Sequence, residues 1–483
     1  MGYFSLNFIL FILILFLIYY LCSKKYRWII LLIGSIIFYC LFSGIYIIFI
    51  FFSSLVTFVF GFLIDRYKKN KFLLIIPILI NLFLLFLLKY QFIDTKYYHY
   101  QFIKNIIPIG ISYYTLEMIG YIIDIYMEKY KFENNFFKLL LYFMYFPKIL
   151  MGPFCRYNKT GEKIFNQDNI NFEKIYNSIL LICYGVVKKL VIADNLKIIV
   201  NAVFQNNYGG FVLIISIVFF TIQLYTDFSG YMDIIRGISA LFGIELPKNF
   251  DCPFFSVTIQ EFWRRWHITL GDWLKEYVFF PISLSKFVML SNQKLQKLNK
   301  KFLSKILMFA VPSFFVWIFM GLWHEISIKY IVYGLYYYSI ILIGVILKPT
   351  LIKFNNFFNI NSKSKKYIFL QILKTNFFVF LGMFIFRCKS LSQLKLLLFK
   401  LFDKENFDVF LFSINKYKLI ITIILFVLIL FFEYLSKMKK IDIIQKINKQ
   451  KNVIKINLLF LLILIIICFS NYEVNTKFLY ELF

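Results

Sequence analysis

The chain contains three histidines, and two of them stand in the part of this strongly apolar chain where polar and charged residues are embedded. His324 lies in GLWHEIS (321–327), between Trp323 and Glu325. His267 lies in IQEFWRRWHITLGDWLKEYVFFPI (259–282). Imidazole titrates near neutrality, and a buried one stays neutral and ready to accept a proton. Such a base could take the proton of a hydroxyl attacking a thioester, as acyl transfer requires. It could equally serve a proton-coupled transporter, and the residues by themselves leave both open. Asp227 or a backbone carbonyl could fix the imidazole tautomer. The third histidine, His99, sits among tyrosines in YQFIDTKYYHYQFIKN (90–105) and reads as a solvated or interfacial side chain.

The elements that must carry these groups are membrane helices. Of 483 residues, 61% are hydrophobic and 64 are Phe, and the mean hydropathy is +0.74. Runs such as FSLNFILFILILFLIYYLC (4–22), FLLIIPILINLFLLFLL (72–88) and YKLIITIILFVLILFFEYL (417–435) have the length and composition of bilayer spans. The expected fold is all-α and polytopic. It should have about ten to twelve membrane helices, plus re-entrant or interfacial pieces where Gly, Pro or charge interrupts a span. The first run lacks a basic leader and a small-residue cleavage site, so it reads as an anchor. No linker or soluble domain interrupts 1–483, which reads as one integral membrane domain.

The net charge of +29 is not read as a nucleic-acid signal. The lysines cluster in short loops, SKKYR (23–27), DRYKKNK (65–71), SNQKLQKLNKKFLSK (291–305) and SKMKKIDIIQKINKQKNVIK (436–455). Loops of this kind stay cytoplasmic, which puts the N-terminus outside. The seven cysteines form no CxxC pair and no Cys/His cluster at zinc-ligand spacing, so no metal and no disulfide framework are expected.

Intramembrane polar groups are costly and mark function or specific packing. They concentrate in residues 106–325, in four places. In IPIGISYYTLEMIGYIIDIYMEKY (107–130), Tyr114, Glu117, Tyr121 and Asp124 share one helical face. That stripe must face protein or water, either as a hydrogen-bond ladder or as part of a site. In YFPKILMGPFCRYN (145–158), Pro147, Gly152 and Pro153 forbid a straight helix. Arg156 in that stretch could meet a phosphate or snorkel to the interface. In QLYTDFSGYMDIIRGISALFGIELPKNFDCPF (223–254), Asp227, Ser229, Asp233 and Arg236 lie within three turns, and Asp233 and Arg236 can pair at i, i+3. In the stretch 259–282, Trp263, Trp266 and Trp273 alternate with Arg264, Arg265, His267, Asp272 and Lys275. This pattern predicts a helix lying at the membrane surface.

Taken in order, GISYYTLEMIGYIIDIY, FPKILMGPFCRY, GVVKKLVIADNL (185–196), the 223–254 and 259–282 stretches and GLWHEIS resemble the motif series of the membrane-bound O-acyltransferases. The bacterial branch that serves cell-surface O-acetylation and teichoic-acid D-alanylation is the most similar. FIFRCKSLSQL (384–394) is similar to a further family stretch, and FLYELF (478–483) resembles the family's aromatic tail.

The resemblance implies His324 as the catalytic base in a protein-lined funnel or tunnel, with His267 as a second essential or supporting residue. It implies supporting roles for Asp227, Ser229, Arg264, Arg265, Trp266 and Trp323; Glu117 and Arg156 are further candidates. Hydropathy alone puts His324 at the end of a span starting near Lys305. Two positions depart from the family pattern: Glu325 stands where Gly is usual, and Asp272 precedes Trp273 where a small hydroxylated residue is commoner. A carboxylate at 325 would raise the base's pKa or reshape its cavity.

The implied activity is transfer of an acyl group, acetyl first, from a cytoplasmic thioester to a hydroxyl of a surface polysaccharide. The donor would be acetyl-CoA or an acyl carrier protein, with no bound cofactor. A serine-hydrolase-like partner outside the cell would complete the transfer, and the location would be the bacterial cytoplasmic membrane with its lipids. D-alanyl transfer to teichoic acid is the alternative, and a proton-coupled exporter the non-enzymatic one.

Overall fold

A computed structural model describes residues 4–89, 108–165, 171–403, 416–441 and 443–471. The expectations for His99 and for FLYELF lie outside these residues. The described chain is helical apart from turns and one isolated bridge, Phe250 to Trp266. Nine helical stretches among the described residues are long and apolar enough to cross a membrane. One of them, Lys24–Arg66, is two helices meeting at Gly44, and Leu6–Leu21 is a shorter apolar helix. The chain is thus an all-α, multi-pass membrane protein, as its composition predicts.

It packs as two units. One is built from residues up to Tyr184 together with Met232–Pro247. The other is built from Gly185–Tyr231 and from Lys248 onward.

The first unit holds α1 (Leu6–Leu21), α2 (Arg27–Ser43), α3 (Ile47–Arg66), α4 (Lys71–Lys89), α5 (Ile111–Tyr126), α6 (Phe136–Met144), α7 (Glu162–Phe165) and most of α8 (Phe172–Val186). In α1, Ser5 caps the N-terminus by accepting from Phe8 N at 3.3 Å. Its protein-facing stripe is Phe8, Ile12, Leu15 and Tyr19, while Leu6, Leu13, Leu17 and Leu21 are exposed. Apolar side chains on the outward face are what a lipid solvent asks for.

α5 is different, for 14 of its 16 residues are buried. Its stripe of Tyr114, Glu117, Tyr121 and Asp124 is buried along with the rest. After α6 the chain leaves helical geometry at Tyr145, as Pro147, Gly152 and Pro153 require. Gly152 folds back so closely that a Cβ would lie 2.4 Å from the Lys148 backbone, so no other residue fits.

The second unit contains α9 (Asp194–Gln205), most of α10 (Gly210–Leu241), α11 (Ile259–Arg265), α12 (Ile268–Leu274), α13 (Phe280–Ser283), α14 (Lys286–Lys297), α15 (Lys301–His324), α16 (Ile328–Phe357), α17 (Lys365–Arg387), α18 (Leu391–Phe399), α19 (Lys416–Met438), α20 (Ile443–Asn448) and α21 (Asn452–Phe469). Helices α15 and α16 form its tightest pair. A Cβ on Gly321 would sit 2.2 Å from Tyr330 O, and one on Gly334 would sit 2.3 Å from Trp317 O. The glycine of GLWH is therefore what lets two helix backbones touch next to His324. At the other extreme, α21 buries none of its residues.

The 259–282 stretch departs from the expected single surface helix. It forms α11 and α12, broken at Trp266–His267, and continues through a π-helical turn, Lys275–Phe279. His267 itself is left-handed, at φ 50° and ψ 50°. Trp266 is only 2% exposed, packed by Tyr225, Phe250 and Phe262. The Trp-rich pattern reflects aromatic packing within protein at this residue rather than anchoring in lipid headgroups.

Candidate active site

The left-handed turn at His267 is held from outside its own segment. Asn249, buried to 1% exposure, accepts through Oδ1 from Thr269 N at 3.0 Å and from Thr269 Oγ1 at 2.9 Å. Its carbonyl accepts from Ile268 N at 3.0 Å. The same Oδ1 lies 3.4 Å from His267 Nδ1. Asn249, absent from the sequence-based candidates, is thus the group beside the imidazole nitrogen, and it favours a proton on Nδ1. Burial lowers the pKa of His267 from 6.5 to about 3, so the ring is neutral at physiological pH.

His324 is the last residue of α15, and Glu325 leaves the helix in extended backbone at φ −162°. The imidazole is walled by rings. Tyr330 stacks on it at 5.7 Å with planes 23° apart, Phe386 meets it edge-on at 5.0 Å, and Tyr333 lies at 6.3 Å. Glu325 is exposed.

Trp323 joins the two histidines. Its ring centroid is 5.0 Å from that of His324 and 5.8 Å from that of His267. His267 also meets Phe228 of α10, edge-on at 4.8 Å. Residues 57 positions apart in the sequence thus both lie within 6 Å of one indole.

Phe228 follows Asp227, which belongs to a buried ion triad. Lys189 Nζ donates to Asp194 Oδ1 at 2.8 Å and to Asp227 Oδ1 at 2.6 Å, and all three side chains are at most 3% exposed. Lys189 lies in the π-helical turn Val187–Ala193. It was missed at the level of sequence, although a lysine pair inside the apolar run GVVKKLVIADNL was its signal. Ser229 is buried at 2% exposure. The next residue, Gly230, lies so close to this turn that a Cβ there would be 3.0 Å from Lys188 Cβ and 3.2 Å from Lys189 N. Asp227 therefore anchors α10 to the turn, and α10 carries the ring against His267.

The other candidates are placed differently. Arg264 is exposed, and Arg265 pairs with Glu261 one turn earlier on α11. Asp272 is exposed and Trp273 is buried. Glu117 and Arg156 belong to the first unit. There Glu117 pairs with buried Lys148 and accepts from Cys155 N at 2.9 Å. Lys148 also lies over Tyr142, whose hydroxyl donates to Cys155 O at 2.7 Å. Glu117 thus fastens the non-helical segment to α5. Arg156 is half-buried at its end. Asp233 and Arg236 pair as their spacing predicts, at 3.5 Å.

The chain is similar to known proteins. The family model of MBOAT, the membrane-bound O-acyltransferase family, matches residues 133–386, a span that contains both histidines and the ion triad. The alginate O-acetylase AlgI of Pseudomonas aeruginosa is 30% identical over 337 residues, covering 66% of this chain and 60% of its own length. The peptidoglycan O-acetyltransferase of Helicobacter pylori is 30% identical over 265 residues, 49% of this chain and 47% of that protein. The teichoic acid D-alanyltransferase of Bacillus subtilis is 30% identical over 345 residues, 68% of this chain and 81% of that protein. The chain spans about 60% of the length of the first AlgI relatives it matches. On the match of the family model to more than half of the chain, and on its likeness to these relatives, this protein belongs to the membrane-bound O-acyltransferase family.

Proposed function

We propose that the protein is a membrane O-acyltransferase in which His324 is the catalytic base and His267 a second essential residue. A hydroxyl gives its proton to His324 as its oxygen attacks the thioester carbonyl. The C–O bond forms, the C–S bond breaks, and the proton passes from the imidazolium to the leaving thiolate. Neutral His267, oriented by Asn249, serves as a hydrogen-bond partner for the reacting groups. Asp227, Ser229, Trp266 and Trp323 support the two rings, while Arg264, Arg265, Glu117 and Arg156 act away from the chemistry. The carrying observation is the convergence of both imidazoles on Trp323.

The acyl group is acetyl, supplied by acetyl-CoA or an acyl carrier protein on the cytoplasmic face of a bacterial cell membrane. The acceptor is a hydroxyl of a cell-surface polysaccharide, reached through an extracytoplasmic serine-hydrolase-like partner. The N-terminus lies outside, from the placement of the lysine-rich loops, and the chain acts as a single acyltransferase domain. The O-acetylase names of two relatives support this reading.

A second reading, D-alanyl transfer from a carrier protein to teichoic acid, is favoured by the relative of which this chain covers 81%. The two are separated by offering membranes radiolabelled acetyl-CoA or D-alanyl carrier protein and counting label in the surface-polymer fraction. Label from acetyl-CoA supports the first reading, label from the carrier alone the second, and label from neither defeats both.

A further inference from the structure

The bridge beside His267 is flanked by strained backbone. Phe250 and Trp266 face each other there, with Asp251 N donating to Arg265 O at 3.0 Å and Ile268 N to Asn249 O at 3.0 Å. Next to the bridge stand two left-handed residues that are not glycine, His267 at φ 50° and Cys252 at φ 48°. Backbone of that kind persists only where surrounding contacts over-determine it. Asn249 secures the His267 side.

The Cys252 side is secured by α19. That helix meets it through Glu433, a half-buried carboxylate inside the apolar run 417–435, where an ionisable group is costly and marks packing or function. The main-chain oxygen of Glu433 accepts from Cys252 Sγ at 3.7 Å. Its carboxylate accepts from the hydroxyl of Tyr225. One turn later Lys437 pairs with Asp251 at 3.7 Å. Nearer the other end of α19, Thr422 Oγ1 reaches Val191 O at 3.2 Å, in the turn that holds Lys189.

Tyr225 is where this helix reaches the candidate site. The residue is 2% exposed. Its ring packs on both residues of the bridge, 5.6 Å from Phe250 and 5.8 Å from Trp266 between centroids, and Lys188 Nζ lies 5.8 Å from it. Phe228, three residues on and on the same face of α10, meets Phe250 at 5.2 Å and His267 at 4.8 Å. One turn of α10 thus presents two rings to the bridge and the imidazole, and Glu433 holds the hydroxyl of the first.

We propose that Glu433 is a positioning residue for His267. By accepting the Tyr225 hydroxyl it keeps that ring against the Phe250–Trp266 bridge, and so keeps the imidazole where Nδ1 faces Asn249. The proposal rests on the acyl-transfer reading for its consequence, but its first readout needs no turnover. The full chain, carrying isotope-labelled histidine, is purified in detergent. The ring-nitrogen NMR signals of His267 are identified by their loss in His267→Gln. Wild type should show one tautomer, protonated on Nδ1. Glu433→Leu and Tyr225→Phe should each shift these signals towards a mixture of tautomers, and the double variant should shift them no further. Glu433→Gln, whose amide oxygen still accepts the hydroxyl, should keep the wild-type pattern.

In transfer assays with the labelled donor, the two disrupting variants should lose about tenfold or more in kcat, with KM for the donor little changed. Glu433→Gln should restore the rate. Tyr225→Phe keeps the ring and removes only the hydroxyl, so it carries the test even where Glu433→Leu does not fold. Unmoved ring signals in Tyr225→Phe overturn the proposal. So does a shift that Glu433→Gln shares, a loss expressed in KM alone, or a shift with no loss of kcat in an active enzyme. If the signals move as expected while wild type uses no acyl donor, the acyl-transfer reading fails alone.

Discussion

Two regions of this protein keep ionisable groups away from water, and they do so in opposite ways. Around Glu117 the account is closed: one carboxylate oxygen takes Lys148, the other takes Cys155 N, and the charges cancel. Around His324 the neighbours are rings, and the nearby cation, Lys329, faces a ring as well. Closed pairs of this kind hold a shape, here the non-helical segment after α6. The imidazole of His324 is instead enclosed by aromatic rings. The triad of Lys189, Asp194 and Asp227 lies between these cases. Its charges are enclosed, but its geometry positions the helix that carries Phe228 against His267.

The comparison can be broken by removing one group at a time. The largest effect is expected for Lys189→Met, which leaves two carboxylates buried without their shared cation. About 5 kcal/mol of stability should be lost, at the top of the range for breaking a buried pair. Thermal unfolding of the purified chain would measure it, and a variant as stable as wild type would deny the triad its structural role.

Lys148→Met should cost about 3–5 kcal/mol, most of it recovered when Glu117→Gln is added, because the loss comes from the stranded carboxylate. Additive losses in that double mutant would contradict a closed pair. His267→Gln belongs to the other region. It should lower acyl transfer by about 10²-fold while the unfolding temperature stays close to wild type.

The smallest effect is one of pH. The folded state holds His267 far below its ordinary pKa of 6.5, so under acid the unfolded chain binds a proton that the folded chain refuses. Stability should fall as pH drops below 6.5, by about 1 kcal/mol over the first pH unit. His267→Gln should lack that component in a series of unfolding curves.

Much of this was legible in the sequence because it is local. The α5 stripe, the break at Pro147–Pro153 and the Asp233–Arg236 pair all follow from spacing and residue type within one segment. What escaped is set by distant partners. The left-handed turn at His267 depends on Asn249, 18 residues earlier, so the 259–282 stretch kept the periodicity of a surface helix while folding as two short ones. Lys189 finds Asp227 38 residues away, and no spacing rule connects a lysine in one apolar run with an aspartate in another. Arg264 and Arg265 had the right composition for a ligand site, yet one is exposed and the other is neutralised by Glu261.

The most direct test compares His324→Ala with wild type for acyl transfer from the preferred labelled donor, at matched amounts of folded protein. His324 ends its helix among rings, and its loss should leave the unfolding temperature nearly unchanged. The account predicts a fall of about 10³-fold in transfer. Undiminished transfer by the folded variant would contradict it and remove His324 from the chemistry.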